Sequence, residues 1–288
     1  MGFRLANVDG RAALIHGDRY TDLATHSKGA FNPDPMQALE RPDLLNELSE
    51  QLTDASATGL LADVTLGPPI PRPQKIFGIG LNYATHVAES GMEPPSSPVV
   101  FTKFPSCLTG PTGDVEIRSG GCDYEVELVV VIGRGGRDIS PDDAWDHVVG
   151  VTVGQDISDR PVQFAAKPAH FDLAKSFDTF GPLGPVVVST DQLTERDALH
   201  VTCEINGEAR QDGTTADLIF DVPTLISYLS SITTLTTGDL IFTGTPDGVG
   251  AAQGKFLADG DIITTTIDGI GTMTNRVVRI SDPRPIGV

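Results

Sequence analysis

The chain runs to 288 residues, 39% of them hydrophobic and 20% charged, which is long and apolar enough to bury a core without staples and excludes wholesale disorder. Its 39 acidic residues against 20 basic ones give a formal charge of −19, a surface that repels phosphate backbones and anionic membranes, so nucleic-acid binding is not expected. The 31 glycines and 21 prolines favour turns and short strands over long helices, and the chain is expected to be mainly β with some α, an α+β fold.

Residues 3–8 and 12–16 read as short strands. No apolar run follows Met1 and none elsewhere reaches a membrane span, so neither a signal peptide nor a membrane segment is expected. Residues 42–61 read as a helix, with Leu44, Leu45, Leu48 and Leu52 on its apolar side and Pro42 in its first turn. Residues 67–73, GPPIPRP, form a stiff linker. A domain boundary is placed there, giving a small N-terminal cap over residues 1–70 and a larger domain over 71–288. Beyond it the texture is β-rich. Strands are expected at 75–79 and 98–103 around a short helix at 82–90, and 123–132 is the most apolar strand. Ser140-Pro141-Asp142-Asp143 starts a helix, and 148–156 is a buried strand. Asn206-Gly207 within 199–212 is the strongest hairpin signal. An amphipathic helix follows at 217–232, then strands at 239–243 and 261–278, the last broken at Asp268-Gly269.

Cys107, Cys122 and Cys203 are odd in number and lack CxxC spacing, so they read as buried small side chains in a reducing, cytoplasmic setting rather than disulfides or zinc ligands. Glu125 and Glu127 project from one face of their strand. Beside an apolar run they repel each other and resist desolvation. A bound cation relieves both problems; an exposed edge strand would also do so. Asp156, ending a buried strand, is either a third oxygen ligand or a turn residue. Three carboxylates without nearby cysteine suit a hard cation, Mg2+ or Mn2+, and leave positions for water and substrate. Lys175 is either a buried partner of a carboxylate or anion, or a surface lysine. His86 and Glu89, three apart on a helix, form a general-base pair or a chance neighbour pair. Residues 243–250, a glycine-rich turn, offer N–H groups and a Thr hydroxyl to a carboxylate, or simply end a strand. No nucleotide motif is present. His170 lies near Lys175 in sequence; the other histidines show no ligand spacing, and Trp145 reads as core.

In chain order these fragments resemble the fumarylacetoacetate hydrolase family: NYxxHxxE at 82–89, FxK at 101–103, DYExEL at 123–128, QDxSxR at 155–160, AKSFDTFGPxGP at 174–185 and GDLIFTGTPxGVG at 238–250. The first 70 residues match it poorly, and Arg118-Ser119 stands where many members carry Leu-Pro. The resemblance implies a mixed β-sandwich roll with a small N-terminal domain, and a homodimer or a higher assembly. It implies Glu125, Glu127 and Asp156 as Mg2+ or Mn2+ ligands, and Lys175 at the substrate oxygen where negative charge develops. Arg160 and Gln163 would line the substrate pocket, Thr245 would hold the substrate carboxylate, and His86 with Glu89 would activate water. Residues 167–170 fall in a variable part of the pocket. The expected reaction is metal-dependent C–C hydrolysis of an acylpyruvate or related 2,4-dioxo acid, a small anionic 2-oxo acid. Isomerisation of a 2-hydroxyhepta-2,4-diene-1,7-dioate, oxaloacetate decarboxylation and hydrolysis of a 2,4-dioxo sugar acid are the alternatives. A non-catalytic cation-binding β module is the reading from another class; His86, Glu89 and Lys175 beside the three ligands argue against it.

Overall fold

The computed structural model describes residues 2–281. Its main sheet is built round four apolar strands, Gly181–Val188, Val148–Gln155, Val126–Ile132 and Leu240–Phe242, adjacent in that order. Val126–Ile132 is buried at every residue, which is why its sequence is a near-continuous apolar run rather than an alternating one. Val126, Leu128, Val130 and Ile132 face one core, and Val129 and Val131 face another. On the first side lies a second, five-stranded sheet of Glu208–Thr214, His200–Ile205, Ile262–Ile267, Gly271–Arg279 and Val115–Ile117, whose Val201, Cys203, Ile263, Met273 and Val277 complete that core. Two sheets with short helices at their margins make the mixed, mainly β roll expected from the sequence.

The N-terminal strands extend the main sheet. Arg4–Val8 pairs antiparallel with Gly181–Val188, Leu5 lying opposite Val187, and Arg11–His16 and Arg19–Asp22 follow outward. Phe3, Leu5 and Leu45 share a core with Val129, Val131 and Leu183. The proline-rich segment is held along this edge by the pairing of Asn7 with Gly67 and by Asn7 Nδ2 donating to the Pro68 carbonyl. Sheet and core therefore run through the 70/71 position.

Several elements are shorter than expected. The helix at 42 ends at Glu50, because Ser56 Oγ captures the Thr53 N–H and starts a separate 3-10 turn, a local side-chain bond competing with helix continuation. Ser140 does cap its segment, but Pro141–His147 is 3-10 helix. The helix expected from 217 begins at Val222, capped by Asp221. The Asn206-Gly207 hairpin forms, with φ of 55° and 77° at the two residues, both positive as a type I′ turn demands. The strand expected over 123–132 breaks at Tyr124 and Glu125: Cys122–Asp123 pairs with Ser158–Asp159, and the ladder resumes at Val126.

That break positions the site. Val126 begins its strand where Val148–Gln155, Leu240–Phe242 and Ile76–Gly80 end, since it runs antiparallel to the first two and the last two run parallel to each other. Residues 80–82, 125, 156 and 243–245 thus gather at one end of the sheet. No helix among the described residues is long and apolar enough to cross a membrane.

Candidate active site

Gln155 lies opposite Val126, and one residue further the Asp156 N–H donates to the Glu125 carbonyl at 2.9 Å. The Gln155 side chain accepts from the Glu125 N–H at 2.9 Å and donates to Thr265 Oγ1, tying the break to the second sheet. These contacts bring Glu125, Glu127 and Asp156 together, all buried, with one ligand atom of each within 4.8 Å of the others.

Three cations answer them. Lys175 Nζ donates to Glu125 Oε2 at 2.7 Å, Asp156 Oδ2 at 2.5 Å and Ser158 Oγ at 2.8 Å. Arg160 Nη2 donates to Glu125 Oε1 at 2.5 Å, while its Nε bonds Asp123 and its Nη1 bonds Gln163 Oε1. Lys103 Nζ donates to the far oxygen of Asp156 at 2.7 Å. With Asp123 counted, four carboxylates face three cations, an excess of one negative charge. Burial resists ionisation of Glu125, but Lys175 and Arg160 outweigh it and hold this carboxyl well below the usual range. Glu127 has no such neighbour. Burial, then the charges of Asp156 and Glu125, push it well above the usual range, and Lys175 and the Gly244 N–H only partly offset them. A hard dication fits the same place: three buried carboxylate oxygens within reach of one another, in a cluster with one negative charge in excess.

Because burial and its neighbours raise the proton affinity of Glu127, a cation bound here would compete with a proton for that carboxyl. Mn2+ affinity should therefore rise by about tenfold per pH unit up to the raised Glu127 pKa and level off above it. Calorimetric titrations in buffers of different ionisation heat should record the release of a proton.

The glycine-rich turn serves the protein's own carboxylates. Gly244 N–H donates to Glu127 Oε2 at 2.8 Å, Gly248 N–H to Glu89 Oε2 at 3.0 Å, and Gly250 and Ala251 N–H to Asp123. Gly244 has φ of 103°, and a Cβ there would lie 2.7 Å from that of Asn82, so only glycine brings this N–H to Glu127. The Thr245 hydroxyl is also committed, donating to the Val126 carbonyl and accepting from Gln211, both at 2.8 Å.

Asn82, fully buried, anchors the helix Ala84–Ser90 by bonds from its amide to the carbonyls of Thr243 and Phe220. On that helix Val87 turns inward, and His86 Nδ1 meets Glu89 Oε1 at 2.8 Å. Burial of Glu89 raises its proton affinity, but the His86 and Gly248 bonds more than compensate, and its carboxyl sits below the usual range. An ionised Glu89 only accepts, so His86 Nδ1 carries the proton and Nε2 is the basic atom.

These groups border one cavity of about 410 Å3. Glu125, Glu127, Lys175, Arg160, Gln163 and Thr245 supply its polar part, and His86 and Glu89 lie on its wall. Met92, Val99, Phe101, Phe164 and Phe171 make most of the rest apolar. Asp156 sits behind Lys175 with no exposed surface. From the loop around 167–170, the flanking Phe164 and Phe171 reach the cavity, and His170 does not line it. Sequence reasoning missed Lys103, Asp123, Gln155 and Gln211. The first three stand inside quoted motifs; Gln211, whose Oε1 accepts from the Val126 N–H, carries no sequence signal.

The family model described as fumarylacetoacetate hydrolase C-terminal matches residues 75–278. Oxaloacetate tautomerase YisK of Bacillus subtilis is 46% identical over 226 residues, 75% of this chain and 74% of that protein. Among solved structures, a putative HpcE protein from Mycobacterium smegmatis superposes with a TM-score of 0.90 at 46% identity, covering 96% of this chain and all of that one. Maleylpyruvate hydrolase from Sphingobium sp. SYK-6, in complex with manganese and pyruvate, gives 0.82 at 31% identity, again over 96% of this chain and all of that one.

Proposed function

This chain belongs to the fumarylacetoacetate hydrolase family, a family of enzymes, and on that premise we propose that it moves a proton at C3 of a 2-oxo acid, interconverting the keto and enol forms of an oxaloacetate-class substrate with Mg2+ or Mn2+. The observation that carries this reading is His86, whose Nδ1 is held by Glu89 and which lines the cavity that also holds Glu125, Glu127 and Lys175. The 46% identity to an oxaloacetate tautomerase supports the substrate class.

Glu125, Glu127 and Asp156 would hold the cation, which when bound supplies a Lewis acid that polarises the 2-oxo group. The chain's residues do the rest. With Glu125 and Asp156 engaged by the cation, Lys175 would turn one of the three N–H groups it now gives Glu125, Asp156 and Ser158 to the oxygen on which negative charge grows. Arg160 and Gln163 face the substrate carboxylate. His86 Nε2 takes the C3 proton and returns it, and Glu89 keeps the imidazole in the tautomer that can do so. Phe101 and Phe171, whose rings are in contact, shield the enolate from water.

Acylpyruvate hydrolysis is the second reading, favoured by the cavity itself: about 410 Å3 with apolar walls exceeds the needs of a four-carbon diacid and leaves room for an acyl group. There His86 takes a proton from water instead. The water oxygen bonds to the acyl carbon, the C3–C4 bond breaks, and the released enolate takes a proton to give pyruvate and a carboxylic acid.

Enol-oxaloacetate and a set of acylpyruvates, each with Mg2+ or with EDTA, separate the readings. Metal-dependent loss of enol absorbance without pyruvate release is expected. Pyruvate from an acylpyruvate alone would transfer the assignment to hydrolysis, and pyruvate from oxaloacetate to decarboxylation. No turnover of any substrate would leave a cation-binding module.

A further inference from the structure

Lys103 has no exposed side-chain surface. It follows the strand Val99–Thr102, and its Nζ donates to Asp156 Oδ1 at 2.7 Å, to the Phe180 carbonyl at 3.1 Å and to the Lys175 carbonyl. Three protons meet three acceptors, so none remains for a substrate, and Lys103 does not border the cavity. An ammonium buried this deeply is costly, and a hydrophobic side chain of similar volume would often pack as well. Its charge therefore needs a reason beyond packing.

We propose that Lys103 is a positioning residue that sets the anion affinity of the centre. By engaging Asp156 Oδ1 it leaves Oδ2 as the oxygen directed to the Glu125 side, where Lys175 now meets it. Its fixed charge also makes the site one unit more favourable to an anion. With a dication added, Asp123, Glu125, Glu127 and Asp156 with Lys103, Lys175 and Arg160 sum to one positive charge, which offsets the Glu89 carboxylate on the cavity wall and lets a 2-oxo acid anion enter. Without Lys103 that offset is lost. The inference rests on the reading of Glu125, Glu127 and Asp156 as the cation site.

The test measures Mn2+ binding to the full-length protein, then binding of oxalate, a bidentate mimic of a 2-oxo acid, to the Mn2+-loaded form. Lys103→Gln keeps amide donors for the carbonyls but loses the charge. Its oxalate affinity should fall by about tenfold or more, while Mn2+ affinity stays level or rises because a like charge has gone. Lys103→Arg keeps the charge and should retain most of the oxalate affinity. Unchanged oxalate binding in Lys103→Gln would overturn the proposal. So would a parallel loss of Mn2+ and oxalate in that variant, the mark of a merely structural role, or failure of both variants to melt cooperatively. Failure of the wild-type protein to bind Mn2+ would instead overturn the reading of the cation site itself.

Discussion

Glu125→Gln should lower metal-dependent turnover on the order of a thousandfold and sharply weaken Mn2+ binding while leaving the protein folded. The substitution keeps the shape of the side chain and removes one donor charge of three. The cation then meets a smaller negative field, and the 2-oxo group loses the Lewis acid worth several kcal/mol to the transition state. Folding survives because neither cationic partner is stranded: Lys175 retains Asp156 and Ser158, and Arg160 retains Asp123 and Gln163. The loss is of charge-assisted hydrogen bonds, about 2 kcal/mol. Calorimetry with Mn2+, a thermal melt and the turnover assay check the three parts separately.

His86→Gln should lower turnover by about a hundredfold to ten-thousandfold, the range of a lost general base, with Mn2+ affinity nearly unchanged. The imidazole is hydrogen-bonded to Glu89 and to none of the three candidate ligands. Glu89→Gln should cost less, about tenfold, because an amide oxygen can still receive the Nδ1 proton and only the charge that favours imidazolium is lost. Turnover with metal affinity measured alongside checks this pair. Equal losses of turnover and metal affinity in His86→Gln would mean that the helix Ala84–Ser90 supports the metal site rather than the proton transfer.

The acidic centre was legible because its chemistry is concentrated in short strings. Glu125 and Glu127 lie two apart beside an apolar strand, and Asp156 ends the neighbouring one, so strand pairing alone brings them together. The dyad was legible for a similar local reason, the three-residue spacing of His86 and Glu89. What escaped depends on chain closure over long separations. Lys103 reads as the last residue of a strand, and its meeting with Asp156 follows only when residues 175 and 180 wrap round it. Gln155 and Gln211 are neutral, and their value as backbone clamps at Glu125 and Val126 exists only in three dimensions. The glycine-rich turn was visible, but not that its N–H groups are given to Glu127, Glu89 and Asp123. In the fold, the hairpin at Asn206-Gly207 was explicit because both residues favour positive φ. The pairing of Leu5 with Val187 joins segments too distant for any local pattern to register.

Tautomerisation and acylpyruvate cleavage share one event, transfer of a proton at C3 of a 2-oxo acid enolate. Incubating pyruvate with the protein in D2O and following deuterium entry at C3 by NMR isolates that event from the choice of substrate. Proton transfer by His86 beside a cation held by Glu125 demands exchange that requires Mg2+ or Mn2+, stops with EDTA, and is lost in Glu125→Gln and His86→Gln. Exchange no faster than in protein-free buffer with the same metal would contradict it.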